Sequence, residues 1–218
     1  MSGGIGVIGR MKLPSLYPII DLACFADDPD AVLAASNFAE QLLAAGATLI
    51  QLRDKSSDVR RFLSCARELR RLTAKRAKLI INDRADLCLA AGADGVHLGQ
   101  DDLSPAAARS IFRNEKLWVG YSTHNLSQVR EADSLPVDYI AVGPVFATAS
   151  KENPDPVIGL EGVRAARAAT SKPLVAIGGI TRENCLQVKE AGADSMAVIS
   201  DLLESPAKAV EAFLRILR

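Results

Sequence analysis

Eight short stretches rich in β-branched and aliphatic residues alternate with helix-like segments along this chain, and each stretch runs into glycine or polar residues. The expected strands cover 17–21, 48–53, 78–83, 95–99, 117–122, 138–143, 173–178 and 195–200. No hairpin dipeptide joins one to the next, and the intervening segments carry apolar residues at helical spacing, so the strands should pair in parallel. Within 29–45, Val32, Leu33, Phe38, Leu42 and Leu43 recur every third or fourth place. Within 60–71, Phe62, Leu63, Ala66, Leu69 and Arg70 trace a similar stripe, as expected of helices covering a sheet. The text Ala45-Gly46-Ala47-Thr48 returns as Ala91-Gly92-Ala93-Asp94 and as Ala191-Gly192-Ala193-Asp194, each time between a helix and a strand. Glycine suits that joint because a helix often ends on a left-handed residue. A repeated βα unit predicts a single-domain α/β fold, a closed (β/α)8 TIM barrel over residues 14–218, with residues 1–13 as a flexible leader. An open doubly wound sheet is the alternative.

With 218 residues, the chain lies near the lower end of the usual length for one such barrel. Its 26 basic and 26 acidic residues cancel and only 5% are aromatic, so no basic field with stacking rings marks a nucleic-acid binder. Apolar runs stop short of the roughly 20 residues a membrane span needs, and the expectation is a cytoplasmic protein without membrane partners. Cys24, Cys65, Cys88 and Cys185 are scattered, and we expect buried or half-buried free thiols. Gly4, Gly6 and Gly9 match the dinucleotide spacing G-x-G-x-x-G, but a strand before it and a helix after it are missing from the text, so we set that motif aside. Met11 is a candidate start. Oligomeric state is left open.

In a parallel barrel the C-terminal strand ends gather on one rim, where barrel enzymes keep their active sites. Arg53 and Lys55 follow the second strand, and a guanidinium fork with a mobile ammonium suits a diphosphate; a solvated charged loop is the plainer reading. Asn82 and Asp83 close the third strand, and Gln100, Asp101 and Asp102 follow the fourth. Carboxylates from adjacent strands suit Mg2+, which keeps several waters and takes one or two protein carboxylates, although each aspartate could instead cap a helix. Gly178-Gly179-Ile180-Thr181 and Ile199-Ser200-Asp201 follow the last two strands, whose loops commonly bind phosphate; a tight turn and a cap are again the plainer reading. His97 should face the barrel interior in a hydrogen-bonded structural role, and His124 should have better access to a ligand. Residues 144–158 form the longest irregular stretch of the body and carry Thr148, Ser150 and Lys151, as a closing lid would.

Taken in order, Gln51 to Lys55, I-N-D-R from Ile81, G-A-D-G-V-H-L-G-Q-D-D from Gly92, Ser122-Thr123-His124, G-P-V-F-x-T-x-S-K from Gly143, A-I-G-G-I from Ala176 and A-V-I-S from Ala197 resemble the thiamin phosphate synthase family. The resemblance spans nearly everything from Leu16 to Leu203. It implies a (β/α)8 barrel transferase that joins a hydroxymethylpyrimidine diphosphate to a thiazole phosphate, with pyrophosphate leaving. On that resemblance Gln51, Arg53, Lys55, Asn82, Ser122 and Lys151 would hold the pyrimidine diphosphate, with Leu52 and Asp54 in the same segment. Asp83 and Asp102 would bind magnesium, and Thr148, Ser150, Gly179, Ile199 and Ser200 would hold the thiazole phosphate. Arg53, Lys55, Ser122 and Lys151 would be the catalytic set. The chain departs from the family pattern at Ala147, where proline is usual, and at Ser150, where threonine is usual. Arg53, Lys55, Lys151 and one magnesium ion, set against Asp83 and Asp102, leave about +3 for a departing pyrophosphate of roughly −3. A thiazole tautomerase of the same superfamily needs no metal for pyrophosphate, and a non-catalytic phosphate-binding barrel should have lost the charged residues that this chain keeps.

Overall fold

The computed structural model describes residues 11–113, 116–148 and 155–218. The glycine-rich text around Gly4, Gly6 and Gly9, together with Ser150 and Lys151, lies outside the described residues.

Eight parallel strands close into a barrel in sequence order: β1 (Leu16–Asp21), β2 (Leu49–Arg53), β3 (Lys78–Asn82), β4 (Gly95–Leu98), β5 (Trp118–Thr123), β6 (Tyr139–Val142), β7 (Leu174–Ile177) and β8 (Ser195–Val198). Closure comes from β8 pairing with β1. The open doubly wound sheet is thereby excluded. Strand limits differ from the sequence expectation by at most two residues, because the polar ends counted as strand already belong to the following loops. Helices α1 (Ala31–Ala44), α2 (Val59–Thr73), α3 (Ala85–Ala91), α4 (Pro105–Phe112), α5 (Leu126–Ser134), α6 (Gly159–Ala169), α7 (Cys185–Glu190) and α8 (Pro206–Ile216) surround it.

Local chemistry explains where the helices start and stop. Asp30, Asp58, Ser104 and Asn125 each accept the N–H three residues on, at 3.0, 2.9, 3.3 and 3.0 Å, satisfying a donor left free in the first turn. The repeated glycines Gly46, Gly92 and Gly192 have φ of 101°, 64° and 109°, the left-handed turn inferred from the text. The aspartate after two of them has its own task. Asp94 accepts the Leu79 N–H and pairs with Arg70 of α2, while Asp194 accepts the Leu174 N–H and pairs with Arg167 of α6. Each ties a helix and the start of the neighbouring strand together at the end of the barrel opposite the site.

Strand alternation sorts the core into two layers. Residues facing the helices, such as Ile50, Leu52, Ile81 and Val96, join the shell between barrel and helices. Residues facing inward, including Tyr17, Ile19, Leu49, Ile80, Tyr139 and Val175, fill the barrel, with Leu13 and Met11 packed into the same cluster. Leu33 departs from its expected buried stripe and is 56% exposed, one position off the face that Val32 and Ala35 turn inward. Cys65, Cys88 and Cys185 are buried and outside any disulfide, whereas Cys24, in the 3-10 turn after β1, is exposed, against the expectation.

Candidate active site

Inward-facing side chains change character along each strand. In β2 the series is Leu49, Gln51, Arg53; in β3 it is Ile80, Asn82; in β5 it is Gly120, Ser122. The apolar members fill the barrel and the polar ones reach its C-terminal mouth, where they line a cavity of about 420 Å³. Gln51, Arg53, Lys55, Asn82, Asp83, Asp102, Ser122, Thr148, Gly179, Ile199 and Ser200 all lie on its wall. Two expected residues do not. Leu52 is buried against the helices, as alternation between Gln51 and Arg53 requires, and the nearly buried Asp54 carboxylate pairs with Arg61 at 3.0 Å. A wider groove between α1 and α2, about 670 Å³ and lined by Leu33, Leu63, Arg60 and Arg67, lies on the helix layer away from the strand ends.

At the mouth, the two carboxylates meet. Asp83 follows β3 with φ of 61°, rare for a residue with a side chain, and is held there by its N–H to His97 O at 2.7 Å. Its carboxylate accepts from Lys55 Nζ at 2.5 Å and lies within hydrogen-bonding reach of Asp102, which accepts the Gly99 N–H at 2.7 Å. Burial and the neighbouring Asp102 push the Asp83 carboxyl up to about 6, against the pull of Lys55. Burial also pushes Asp102 up, but its bonds from Asp83 and Gly99 outweigh this and hold it below its ordinary value. Below about pH 6 the pair shares one proton, which a cation would displace. Neither residue caps a helix: Ser104 caps α4, and α3 starts after Arg84 without a side-chain cap. Among the described residues no group of three or more His, Cys, Asp and Glu forms a metal cluster. Two carboxylates are nevertheless what Mg2+ takes when substrate phosphates and water complete its shell. Beside them, Asn82 Nδ2 is buried without a hydrogen-bond partner, an uncommon cost that a ligand in the cavity would remove.

Other features were missed. Arg53 is ion-paired with Asp21, the last residue of β1, which also accepts the Ala23 N–H at 3.1 Å. Asp21 therefore offsets the charge that Arg53 brings to the site. Tyr17 and Tyr139 stand in the barrel beneath the cavity, and their inward position could have been read from strand alternation. His97 does face inward, with Nε2 2.8 Å from Ser122 Oγ, and burial lowers its pKa to about 4 despite Asp102. His124 lines the cavity, its Nδ1 2.9 Å from Gly143 O and 3.4 Å from Asp155 Oδ2.

On the opposite wall the loops after β6, β7 and β8 are tied together. Val145 and Phe146 donate to Ile177 O and Gly178 O at 2.9 and 3.0 Å, anchoring the start of the 144–158 stretch. Gly178 and Gly179 have φ of 100° and 62°, and a Cβ on Gly179 would stand 2.5 Å from Ala147 O. These glycines serve a tight turn and the close approach of the neighbouring loop. Arg182 donates to Asp201 from its N–H and its guanidinium at 3.0 to 3.2 Å, joining the β7 and β8 loops.

A closed (β/α)8 barrel with a mouth lined by paired carboxylates, cations and two glycine- and serine-bearing loops belongs to the class of barrel enzymes with their site at the strand C-termini. The family model for thiamine monophosphate synthase matches residues 22–202. The chain is 55% identical over 207 residues to the thiamine-phosphate synthase of Koribacter versatilis, covering 95% of this chain and 97% of that one. It is 47% identical over 162 residues to the enzyme of the same name from Chloroflexus aurantiacus, covering 74% of each. The solved thiamine phosphate pyrophosphorylase from Pyrococcus furiosus superposes with a TM-score of 0.80 at 33% identity, over 93% of this chain and 95% of that one. The chain belongs to the thiamine monophosphate synthase family, a family of transferases in thiamine biosynthesis. No helix among the described residues is long and apolar enough to cross a membrane.

Proposed function

We propose that the cavity binds a hydroxymethylpyrimidine diphosphate and a thiazole phosphate together and links them into thiamin phosphate. The bond from the pyrimidine methylene carbon to the diphosphate oxygen breaks with its electron pair leaving on oxygen, and the thiazole nitrogen supplies the pair for the new C–N bond. No proton need move in these steps, so alignment and charge stabilisation dominate. Arg53, Lys55 and Lys151 offset the charge growing on the leaving pyrophosphate. Gln51, Asn82 and Ser122 orient the pyrimidine. Thr148, Ser150, Gly179, Ile199 and Ser200 hold the thiazole phosphate, the last three with backbone and hydroxyl donors at the ends of β7 and β8. Asp83 and Asp102 would hold magnesium, which when bound supplies positive charge to the diphosphate. What chiefly supports this reading is the meeting of two carboxylates beside Lys55, on the same wall as the unpartnered Asn82 amide. The two phosphorylated substrates are the partners, and the cytoplasm is the compartment, where the three buried thiols stay reduced.

The test is pyrophosphate release with both substrates, with and without a metal chelator. We expect release only when both substrates and the divalent ion are present. Binding of the thiazole phosphate with no pyrophosphate release under full conditions would instead leave a non-catalytic barrel.

A further inference from the structure

A file of five hydrogen-bonded side chains crosses the barrel beneath the cavity. Gln51 Nε2 donates to Tyr17 Oη at 2.9 Å, and Tyr17 Oη lies 2.9 Å from Tyr139 Oη. Tyr139 Oη lies 3.1 Å from His97 Nδ1, and His97 Nε2 lies 2.8 Å from Ser122 Oγ. The five residues come from five strands, β2, β1, β6, β4 and β5. Both tyrosines are fully buried, and the His97 ring stacks on that of Tyr139 with centroids 5.5 Å apart. The backbone makes room for this: a Cβ on Gly120, paired with Tyr139 across the sheet, would stand 2.1 Å from Tyr139 Cζ. Aliphatic side chains usually fill such an interior, and buried hydroxyls are costly unless paired.

Each interior link has one proton to give, so the order of donors is set along the whole file. With Gln51 donating to Tyr17, Tyr17 donates to Tyr139 and Tyr139 to His97 Nδ1. His97 then carries its proton on Nε2 and gives it to Ser122 Oγ, which frees the Ser122 hydrogen for the cavity while Gln51 Oε1 faces it as an acceptor. Turning the Gln51 amide over reverses every link and both ends together. With one ring proton on His97 and one hydroxyl proton on each tyrosine, only these two orders satisfy every link of the file.

We infer that Tyr17, Tyr139 and His97 are positioning residues that couple the Gln51 amide to the Ser122 hydroxyl, so that the cavity presents an acceptor at one end of the file and a donor at the other. An aminopyrimidine ring carries the matching amino donor and ring-nitrogen acceptor. This last step rests on the assignment of Gln51 and Ser122 to the pyrimidine above; the coupling does not.

The imidazole nitrogen shifts of 15N-labelled protein report the tautomer directly, and the chain has only two histidines, His97 and His124. We expect Nε2–H in the wild type. Gln51→Glu, ionised in mildly alkaline buffer, can only accept from Tyr17 and should reverse His97 to Nδ1–H. If that variant does not fold, Tyr17→Phe cuts the file beside Gln51 and should leave both tautomers populated. In turnover, Tyr139→Phe should raise KM for the pyrimidine diphosphate by about tenfold, the worth of one misdirected hydrogen bond, with KM for the thiazole phosphate within about twofold. A tautomer unmoved by both Gln51→Glu and Tyr17→Phe, or equal changes in the two KM values, each overturn the coupling, and an Nδ1–H wild type overturns the donor order assigned to it. The nitrogen shifts are read on the free protein, so absence of synthase activity would strike the proposed function and leave this result standing.

Discussion

Replacing Asp83 with asparagine is expected to stabilise the metal-free protein while nearly abolishing turnover. The Asp83 carboxyl is held up to about 6 from an ordinary 3.8, chiefly by burial. Taken at face value this puts about 3 kcal/mol on the charged form. Asp83 keeps 17% side-chain exposure and shares its proton with Asp102, so about 1–2 kcal/mol is the working figure. The sign follows from proton binding: the folded protein holds this proton more tightly than the unfolded chain, so stability falls as pH rises from about 3.8 to about 6. The full penalty stands at neutral pH. Asparagine is neutral, keeps an oxygen for Lys55, and tolerates a φ of 61° at least as well as aspartate. Alanine would lose the oxygen and add backbone strain, which makes it the poorer probe.

For a domain of this size, that gain corresponds to a rise in Tm of about 3–6 °C. The measurement is thermal unfolding of wild type and Asp83→Asn in chelator at one scan rate, near pH 7.5 and again near pH 3.5, where the wild-type carboxyl is itself protonated. The rise should appear at the higher pH and vanish at the lower. Magnesium with pyrophosphate should raise the wild-type Tm and leave the variant unchanged, because only a ligand that binds the folded state shifts it. A variant less stable than wild type near pH 7.5, or a gain of equal size at both pH values, would refute the claim that confinement destabilises the Asp83 carboxylate.

The same proton makes a pH prediction: magnesium-dependent turnover should fall as pH drops through about 6, read as a rise in the magnesium concentration needed for half activation. Gly179→Ala should raise KM for the thiazole phosphate by at least tenfold and cost about 2 kcal/mol of stability, since it combines φ of 62° with a 2.5 Å approach to Ala147 O; steady-state kinetics and urea unfolding check both. Asp201→Asn weakens the clamp from Arg182, so KM for the same substrate should rise several-fold while Tm moves by only a few degrees. Lys151→Ala should lower kcat by orders of magnitude with Tm unchanged, as expected of a residue that meets the leaving group.

Much of this site could be read before the fold was known, because strand alternation and the polar ends of strands are local properties of the text. Gln51 and Arg53 share a face two residues apart, and the Leu52 side chain between them points the other way. What could not be read were the pairings across the barrel. Tyr17 and Tyr139 are 122 positions apart, and their hydroxyls meet only because closure brings β1 and β6 to a common interior. Asp21 ends β1 and Arg53 ends β2 at paired register positions, yet the charge tally missed their contact, since a single carboxylate after an apolar run looks like any other loop residue.

Asp83 shows most clearly why. A turn residue with φ of 61° has no local signature when it is aspartate in place of glycine, and its conformation follows from the bond between its N–H and His97 O on the neighbouring strand. That bond exists because β3 and β4 pair in register, Asn82 opposite His97. The same His97 holds Asp83 by its backbone and Ser122 by its ring. The barrel therefore fixes Asp83 through a backbone carbonyl that no substitution removes and Ser122 through a ring, so a side-chain substitution at His97 should disturb the Ser122 hydroxyl, as one at Tyr139 would, and leave Asp83 in place.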